Sequence, residues 1–291
     1  MWLFDSNDEI DVKVNRAIHN AKRAIVRSNL EDLKKATIIN ASGQQAIKAD
    51  IVAETAFLES LIQQRLSGVL YSEESGVKPF GNPKVGDKQS VVLLLDPLDG
   101  SQNFIKGLPI GCISVAYGAY EPNPSFANLT KASIMGIYTD ELFFAEKGKG
   151  SYFNGDELIR VSNKEFKNKT QESLQISYYG YGKNSLHRML DHPNRYHLRS
   201  FGSAAWELVL IAVDRNDAYI DVRGVLKAHD FAAAKIILEE IGAYFEFLTL
   251  NGYGDPQNIP LDDFKSGYSI VASKHKKLID QLKEDFLSPI L

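Results

Sequence analysis

The sequence predicts an α/β fold of the α+β kind, and three observations lead there. Val91-Val92-Leu93-Leu94-Leu95 is a short, unbroken apolar run closed by Asp-Pro, the pattern of a central strand buried on both faces. The first 66 residues carry two stretches of helical periodicity. From residue 174 onward, short strand-like and helix-like segments alternate, as they do when helices cover a sheet.

The first helix is expected from about Asn7 to Ser28. Ile10, Val14, Ile18, Ala21 and Ile25 recur at spacings of three and four, with Ser6 and Asn7 as candidate N-caps. A second is expected over Ile51–Leu66, with Ala53, Phe57, Leu61 and Ile62 inward. After the apolar run, strands are expected at Cys112–Tyr120, Ala132–Tyr138 and Glu141–Glu146, the last two joined by a hairpin turn at 138–141. The second half reads as strand (Leu174–Tyr178), helices (Leu186–Leu190 and Ser203–Val213), strand (Ala218–Val222) and helix (Phe231–Ile241). Strands at Tyr244–Phe247 and Tyr268–Ala272 and a terminal helix at Lys274–Phe286 complete it. Residues 121–124 and 252–260 read as surface loops.

The chain has 291 residues, 44% hydrophobic and 24% charged, which is ordinary globular usage and enough to bury a core. A net charge of −4 without a basic stripe gives no footprint of a nucleic-acid binder, and 274–277 reads as a solvated helix face. The one cysteine, Cys112, lies in an apolar segment with no nearby histidine to activate it, so a buried structural thiol in a reducing cytoplasm is expected. The first residues do not have the build of a signal peptide, and no segment reaches the length of a membrane span.

The chemistry concentrates in acids. Asp96 and Asp99 follow the apolar strand in Asp96-Pro97-Leu98-Asp99-Gly100-Ser101. Ligand sites in open sheets favour the C-terminal ends of strands. Two anions on one tight turn raise each other's pKa unless a hard divalent cation neutralises them. A capped turn, with Asp99 accepting from the N–H groups of residues 101 and 102, explains the same residues equally well. Glu73-Glu74 is a second acidic pair, for which a solvated loop suffices. Asp230 opens an Ala-rich helix and Asp50 opens another, and helix capping alone accounts for each.

Taken together, residues 96–101 (Asp-Pro-Leu-Asp-Gly-Ser), Glu73-Glu74, Asp230 within Ala228-His229-Asp230-Phe231-Ala232-Ala233-Ala234, and Gly202-Ser203-Ala204 resemble the inositol monophosphatase / fructose-1,6-bisphosphatase superfamily of metal-dependent, lithium-sensitive phosphatases. Order and spacing agree along nearly the whole chain, and segments 198–208 and 218–224 look closest to the archaeal-type branch. The resemblance implies a layered αβαβα sandwich. It also implies a single phosphatase unit over 1–291, with halves 1–170 and 171–291 and the active site between them.

It further implies a magnesium centre of two or three ions, with manganese as a substitute. Glu73, Asp96 and the Leu98 carbonyl would hold one ion, and Asp96, Asp99 and Asp230 a second. A third would lie near Glu73 and Asp50. Glu74, Ser101 and Asp50 would orient a water and take its proton. The Gly100 and Ser101 N–H groups would meet the phosphate, and Gly202, Ser203 and Ala204 would line the sugar site. Arg199 and Arg223 are candidates for a second phosphate, or for structural ion pairs. His229 stands where many members carry Trp, a change expected to act on packing.

The implied activity is hydrolysis of a phosphate monoester on a sugar or inositol by a cytoplasmic homodimer. Phosphatases of NADP or of 3′-phosphoadenosine nucleotides are the alternatives within the enzyme class. A binding module for the transcription or RNA machinery is the alternative outside it.

Overall fold

The computed structural model describes residues 8–161, 174–180, 196–248 and 257–287. Helix α1 (Glu9–Arg27) is capped by Asp8, whose carboxylate accepts from Ile10 N at 2.9 Å, rather than by Ser6 or Asn7, which lie outside the described residues. Val14, Ile18, Ala21 and Ile25 are buried, as their spacing predicts. The same face buries Asp11, which accepts from Tyr117 OH and Lys131 Nζ, both at 2.9 Å, and so ties the helix to the sheet beneath it.

A short helix α2 (Leu30–Leu33) and a hairpin of β1 (Ala36–Ile39) and β2 (Gln45–Ile47) lead into α3 (Lys48–Gln63). This helix starts three residues before the expected Ile51 and ends before Leu66, where Arg65 takes a left-handed φ of 61°. Its buried side carries Ala49, Asp50, Ala53, Glu54, Phe57 and Leu61. Ile62, expected inward, is 51% exposed, because it sits about 100° around the helix from Leu61.

Next come β3 (Ser67–Ser72), β4 (Gly76–Phe80), β5 (Ser90–Asp99), a one-and-a-half-turn helix α4 (Ser101–Lys106), β6 (Cys112–Ala119), β7 (Lys131–Gly136), β8 (Leu142–Glu146), β9 (Gly150–Phe153) and β10 (Asp156–Glu157). They form one sheet in the order β10-β9-β8-β7-β6-β5-β3-β4. Only β3 and β5 run parallel. The expected hairpin joins β7 and β8. Strand β5 does not stop at Asp-Pro. Its pairing with β6 continues from Asp96 opposite Ser114 to Asp99 opposite Cys112, so three steps on β5 answer two on β6. That extra residue makes a β-bulge, and Pro97 is tolerated there because it has no N–H to give to a ladder.

The second sheet is built from β11 (Leu174–Tyr179), β12 (Tyr196–Arg199), β13 (Ala218–Leu226), β14 (Tyr244–Leu248) and β15 (Tyr268–Ser273), in the order β12-β11-β13-β15-β14. Helices α5 (Ala204–Val209), α6 (Ala228–Glu240) and α7 (Lys276–Leu287) accompany it. The expected helix at Leu186–Leu190, the boundary near residue 170 and part of the 252–260 loop lie outside the described residues.

The buried side chains sort into five layers. On one face of the first sheet, Leu93, Leu95, Ile113 and Val115 pack with Val14, Ile18, Phe57 and Leu61 of α1 and α3. On the other face, Val92, Leu94, Cys112 and Ala116 pack with Ala205, Leu208, Phe231 and Ile236 of α5 and α6. Those two helices also meet Tyr219, Tyr268 and Ile270 on the near face of the second sheet. Its far face, with Ile176, Ile220 and Val271, is covered by Leu278, Ile279 and Leu282 of α7. The result is the αβαβα sandwich. Alternate residues of the apolar run face opposite layers, which is why all of Val91–Leu95 had to be apolar.

Candidate active site

Parallel pairing of β3 with β5 places Ser72 beside Leu95, and the next residue on each strand is an acid. Glu73 N donates to Leu95 O at 3.2 Å, so Glu73 stands next to Asp96 although 23 positions separate them in sequence. The bulge then carries Asp99 onward, and Gly100 breaks the strand with a φ of 106°. A Cβ at Gly100 would lie 3.0 Å from Ile110 O and 3.2 Å from Gly111 Cα, so glycine is required here for space as well as for φ.

Two further acids arrive from helix starts. Asp50 is the third residue of α3, and its Oδ2 accepts from Ile47 N at 2.7 Å. Asp230 is the third residue of α6, and its Oδ2 accepts from Lys227 N at 2.6 Å. Each satisfies one orphan N–H of its own helix with one oxygen. Capping is therefore real at both positions, and it fixes the orientation of the remaining oxygen. For Asp50 that oxygen, Oδ1, accepts from Ser101 Oγ at 2.8 Å, and the same hydroxyl lies 2.9 Å from Leu98 O.

Asp99 does not bond the N–H groups of residues 101 and 102. Its carboxylate lies at the start of α5, accepting from Ala204 N (3.2 Å), Ala205 N (2.7 Å), Trp206 N (3.4 Å) and Ser203 Oγ (2.8 Å). The motif strand in the first sheet is thus tied to Gly202-Ser203-Ala204 beside the second. The short intraturn bond belongs to Asp96, whose Oδ1 accepts from Leu98 N at 2.9 Å.

Burial drives the electrostatics. It pushes the Asp96 carboxyl well above the usual range, with the charges of Glu73, Asp99 and Asp230 adding to it. Asp99 is raised to about 7 by burial and by Asp230, against the bonds from Ser203, Ala205 and Trp206. Asp50 is raised to about 7 and Asp230 to about 6, both chiefly by burial. Glu74, buried and with no partner for Oε2, is raised to about 8 by burial and then by Asp50 and Glu73. Glu73 is raised by burial as well. Among the described residues no Lys or Arg pairs with any of these six acids.

Carboxylate, hydroxyl and carbonyl oxygens with no organic counter-charge are a donor set that fits a hard divalent cation. The acids act on one another through their charges, yet among the described residues no three or more His, Cys, Asp or Glu side chains are placed as a group that could hold a metal ion. One oxygen of most of these acids rests on an N–H or hydroxyl.

Several residues that shape the site escape sequence reasoning. Asn40 Nδ2 reaches Glu73 Oε1 (3.2 Å) and Glu74 Oε1 (3.4 Å) from the tip of the β1–β2 hairpin, and Ser42 Oγ adds a bond to Glu73 Oε1. Buried Glu54 holds the acidic turn by accepting from Ser72 Oγ (2.5 Å) and Ser75 N (3.2 Å), with Lys78 as its counter-ion. Glu207 accepts from Tyr179 OH and from Phe201 N, fixing the 201–203 loop, and Tyr179 OH in turn accepts from Gly202 N at 2.6 Å. Glu54 carried a usable signal, one helical turn after Asp50, whereas Asn40 and Glu207 are joined to the site only by long-range contacts.

The two arginines make contacts of their own. Arg223 grips the fully buried Asp221 through Nε (3.1 Å) and Nη2 (2.6 Å) and stacks 4.5 Å over the Tyr179 ring. Arg199 is exposed and donates to Leu198 O at 2.9 Å. Cys112 is buried 3.8 Å from Asp99 Oδ2, and burial pushes its thiol well up, so it stays protonated. His229 is also buried, and the cost of burying charge keeps its imidazole neutral.

The chain belongs to the inositol monophosphatase family: that family's sequence model matches residues 8–286. A fructose-1,6-bisphosphatase/inositol-1-monophosphatase of Archaeoglobus fulgidus is 30% identical over 287 residues, covering 95% of this chain and 100% of the relative. A bifunctional NADP phosphatase/NAD kinase of Methanocaldococcus jannaschii is 29% identical across 94% of this chain, which spans only 48% of that longer protein. The crystal structure of an inositol monophosphatase–fructose 1,6-bisphosphatase superposes with a TM-score of 0.73 at 25% identity, covering 94% of this chain and 98% of the other.

Proposed function

We propose that this protein hydrolyses a phosphate monoester carried by a sugar or cyclitol, with magnesium held by Glu73, Asp96, Asp99, Asp230 and the Leu98 carbonyl. The observation that carries this reading is the cluster of six acids, four at the ends of β3 and β5 and two at helix starts, with no Lys or Arg partner among the described residues. Bound cations neutralise the phosphate and make water a better nucleophile at neutral pH.

The chain's own groups do the rest. Ser101 Oγ, held between Asp50 and Leu98 O, orients the attacking water. Asp50, with a pKa of about 7, lies near the pH at which a general base works best, and Glu74 is a second acceptor. The N–H groups of Gly100 and Ser101 face the phosphate, and Gly202–Ala204 border the sugar. The two halves then act as one catalytic unit, in a cytoplasmic homodimer. Among the described residues no helix is long and apolar enough to cross a membrane.

A second reading, an NADP phosphatase, is favoured by the match to the bifunctional NADP phosphatase/NAD kinase over most of this chain. One panel separates them: phosphate release from fructose-1,6-bisphosphate, inositol 1-phosphate, NADP and 3′-phosphoadenosine 5′-phosphate, each with and without magnesium. Preference for the first two supports the sugar-phosphate reading. Preference for NADP replaces it, and no release from any of them points to a binding module.

A further inference from the structure

We propose that Glu207, acting in part through Tyr179, is a positioning residue for substrate binding: it holds Phe201-Gly202-Ser203 in the shape that meets the substrate. This role rests on the reading above, in which Gly202–Ala204 border the sugar.

Three successive N–H groups end on one carboxyl oxygen. Glu207 Oε1 accepts directly from Phe201 N at 3.1 Å and from Ser203 N at 3.4 Å. The N–H between them, that of Gly202, donates at 2.6 Å to Tyr179 OH, and this hydroxyl donates in turn to the same Oε1. Successive N–H groups gathered in this way form a nest for an anion, and here the chain supplies the anion itself. Capping of α5 explains only the Ser203 bond. Phe201 lies two residues before that cap, and Tyr179 comes from the end of β11. Glu207 is also fully buried, and its Oε2 has no hydrogen-bond partner. Burying a carboxyl costs free energy that an exposed cap avoids. The loop it holds has a left-handed residue at its centre, Gly202 with a φ of 76°, and Asn103 Nδ2 of α4 donates to Phe201 O at 2.5 Å.

The way the bonds are shared out decides which kinetic constant responds. Glu207 and Tyr179 take the N–H groups of residues 201–203, whereas Asp99 of the motif takes those of 204–206 and the Ser203 hydroxyl. Loosening the first set shifts the border of the sugar site and leaves the anchorage of the motif in place. Substrate affinity should fall while the chemical step is kept, the pattern of an interaction made equally in ground state and transition state.

The test is steady-state kinetics of the full chain at saturating Mg2+, on whichever of the four panel esters the wild type hydrolyses. Tyr179→Phe removes the hydroxyl and keeps the ring under Arg223, so KM should rise about fivefold or more with kcat within about threefold. Glu207→Ala should raise KM by about tenfold or more. Glu207→Gln keeps an acceptor oxygen for all three donors and sets its amide nitrogen where Oε2 has no partner, so its KM should stay within about threefold of wild type. If Glu207→Ala fails to fold, the other two variants decide. A smaller KM rise in Tyr179→Phe, or a fall in kcat at constant KM, overturns the positioning role and leaves the phosphatase reading standing. A KM rise beyond about threefold in Glu207→Gln also overturns it, since lost charge rather than lost shape would then be the cause. No phosphate release by the wild type from any of the four esters overturns both the positioning role and the proposed function.

Discussion

Metal-free protein should lose stability as pH rises through neutrality, and magnesium should restore it. Asp50, Glu74, Asp99 and Asp230 all have carboxyls raised above their ordinary values, to about 7, 8, 7 and 6, with burial the first cause of each. The folded chain thus binds these protons more tightly than the unfolded chain does. Stability from these groups is fullest below about pH 4 and is lost as pH climbs to about 8. For Asp50 alone, a rise from 3.8 to about 7 is about 3 units, or about 4 kcal/mol. That is a large share of a typical total of about 5–15 kcal/mol. About 2 of those units, or about 3 kcal/mol, are lost between pH 5 and pH 8, so at about 2 °C per kcal/mol for a chain of this size Tm should fall by about 6 °C or more over that range in EDTA. Added Mg2+ binds the ionised acids and should recover most of the loss at pH 8, with little effect at pH 5. Thermal scans at both pH values, with EDTA and with millimolar Mg2+, read this directly. A Tm that does not fall with pH, or does not respond to Mg2+ at pH 8, refutes the idea that these acids form one uncompensated cluster.

Other substitutions probe single parts. Asp96→Asn takes a carboxyl out of the acid cluster and leaves an uncharged group of the same shape, so magnesium-dependent turnover should drop by at least about 10³-fold while metal-free Tm stays level or rises. Ser101→Ala takes away the hydroxyl between Asp50 and Leu98 O, and kcat should fall by about 10²- to 10⁴-fold with KM nearly constant. Arg223→Ala strands the buried Asp221 carboxylate and should cost about 3–5 kcal/mol in a denaturant titration. If Arg223→Ala instead leaves stability intact and impairs bisphosphate hydrolysis selectively, the guanidinium serves the substrate rather than the fold.

The layering was legible because burial leaves a mark on composition. Val91–Leu95 is apolar at every position since both faces are covered, and α1 repeats its inward residues at helical spacing. β3 was not legible: Ser67, Gly68 and Ser72 leave it only Val69-Leu70-Tyr71 as an apolar run, and its place is set by pairing with β5. The bulge at Pro97 was hidden too, because a local sequence does not show how many residues the partner strand sets against it. At the site, the acids announced themselves, but each local signal had a bland alternative that proved half true. Asp50 and Asp230 do cap their helices, with one oxygen, and the other oxygen of Asp50 accepts from Ser101 of the motif. Asn40 and Glu207 reach the site through contacts between distant segments. Asp221 was within reach, since residues two apart on a strand share a face, as Asp221 and Arg223 do.

Magnesium-dependent phosphate release measures the central claim most directly. Protein stripped with EDTA should release no phosphate from inositol 1-phosphate or fructose-1,6-bisphosphate. Titrated Mg2+ should bring saturable release in the wild type and none in Asp96→Asn. Release that persists without divalent cation, or that survives in Asp96→Asn, would contradict the account.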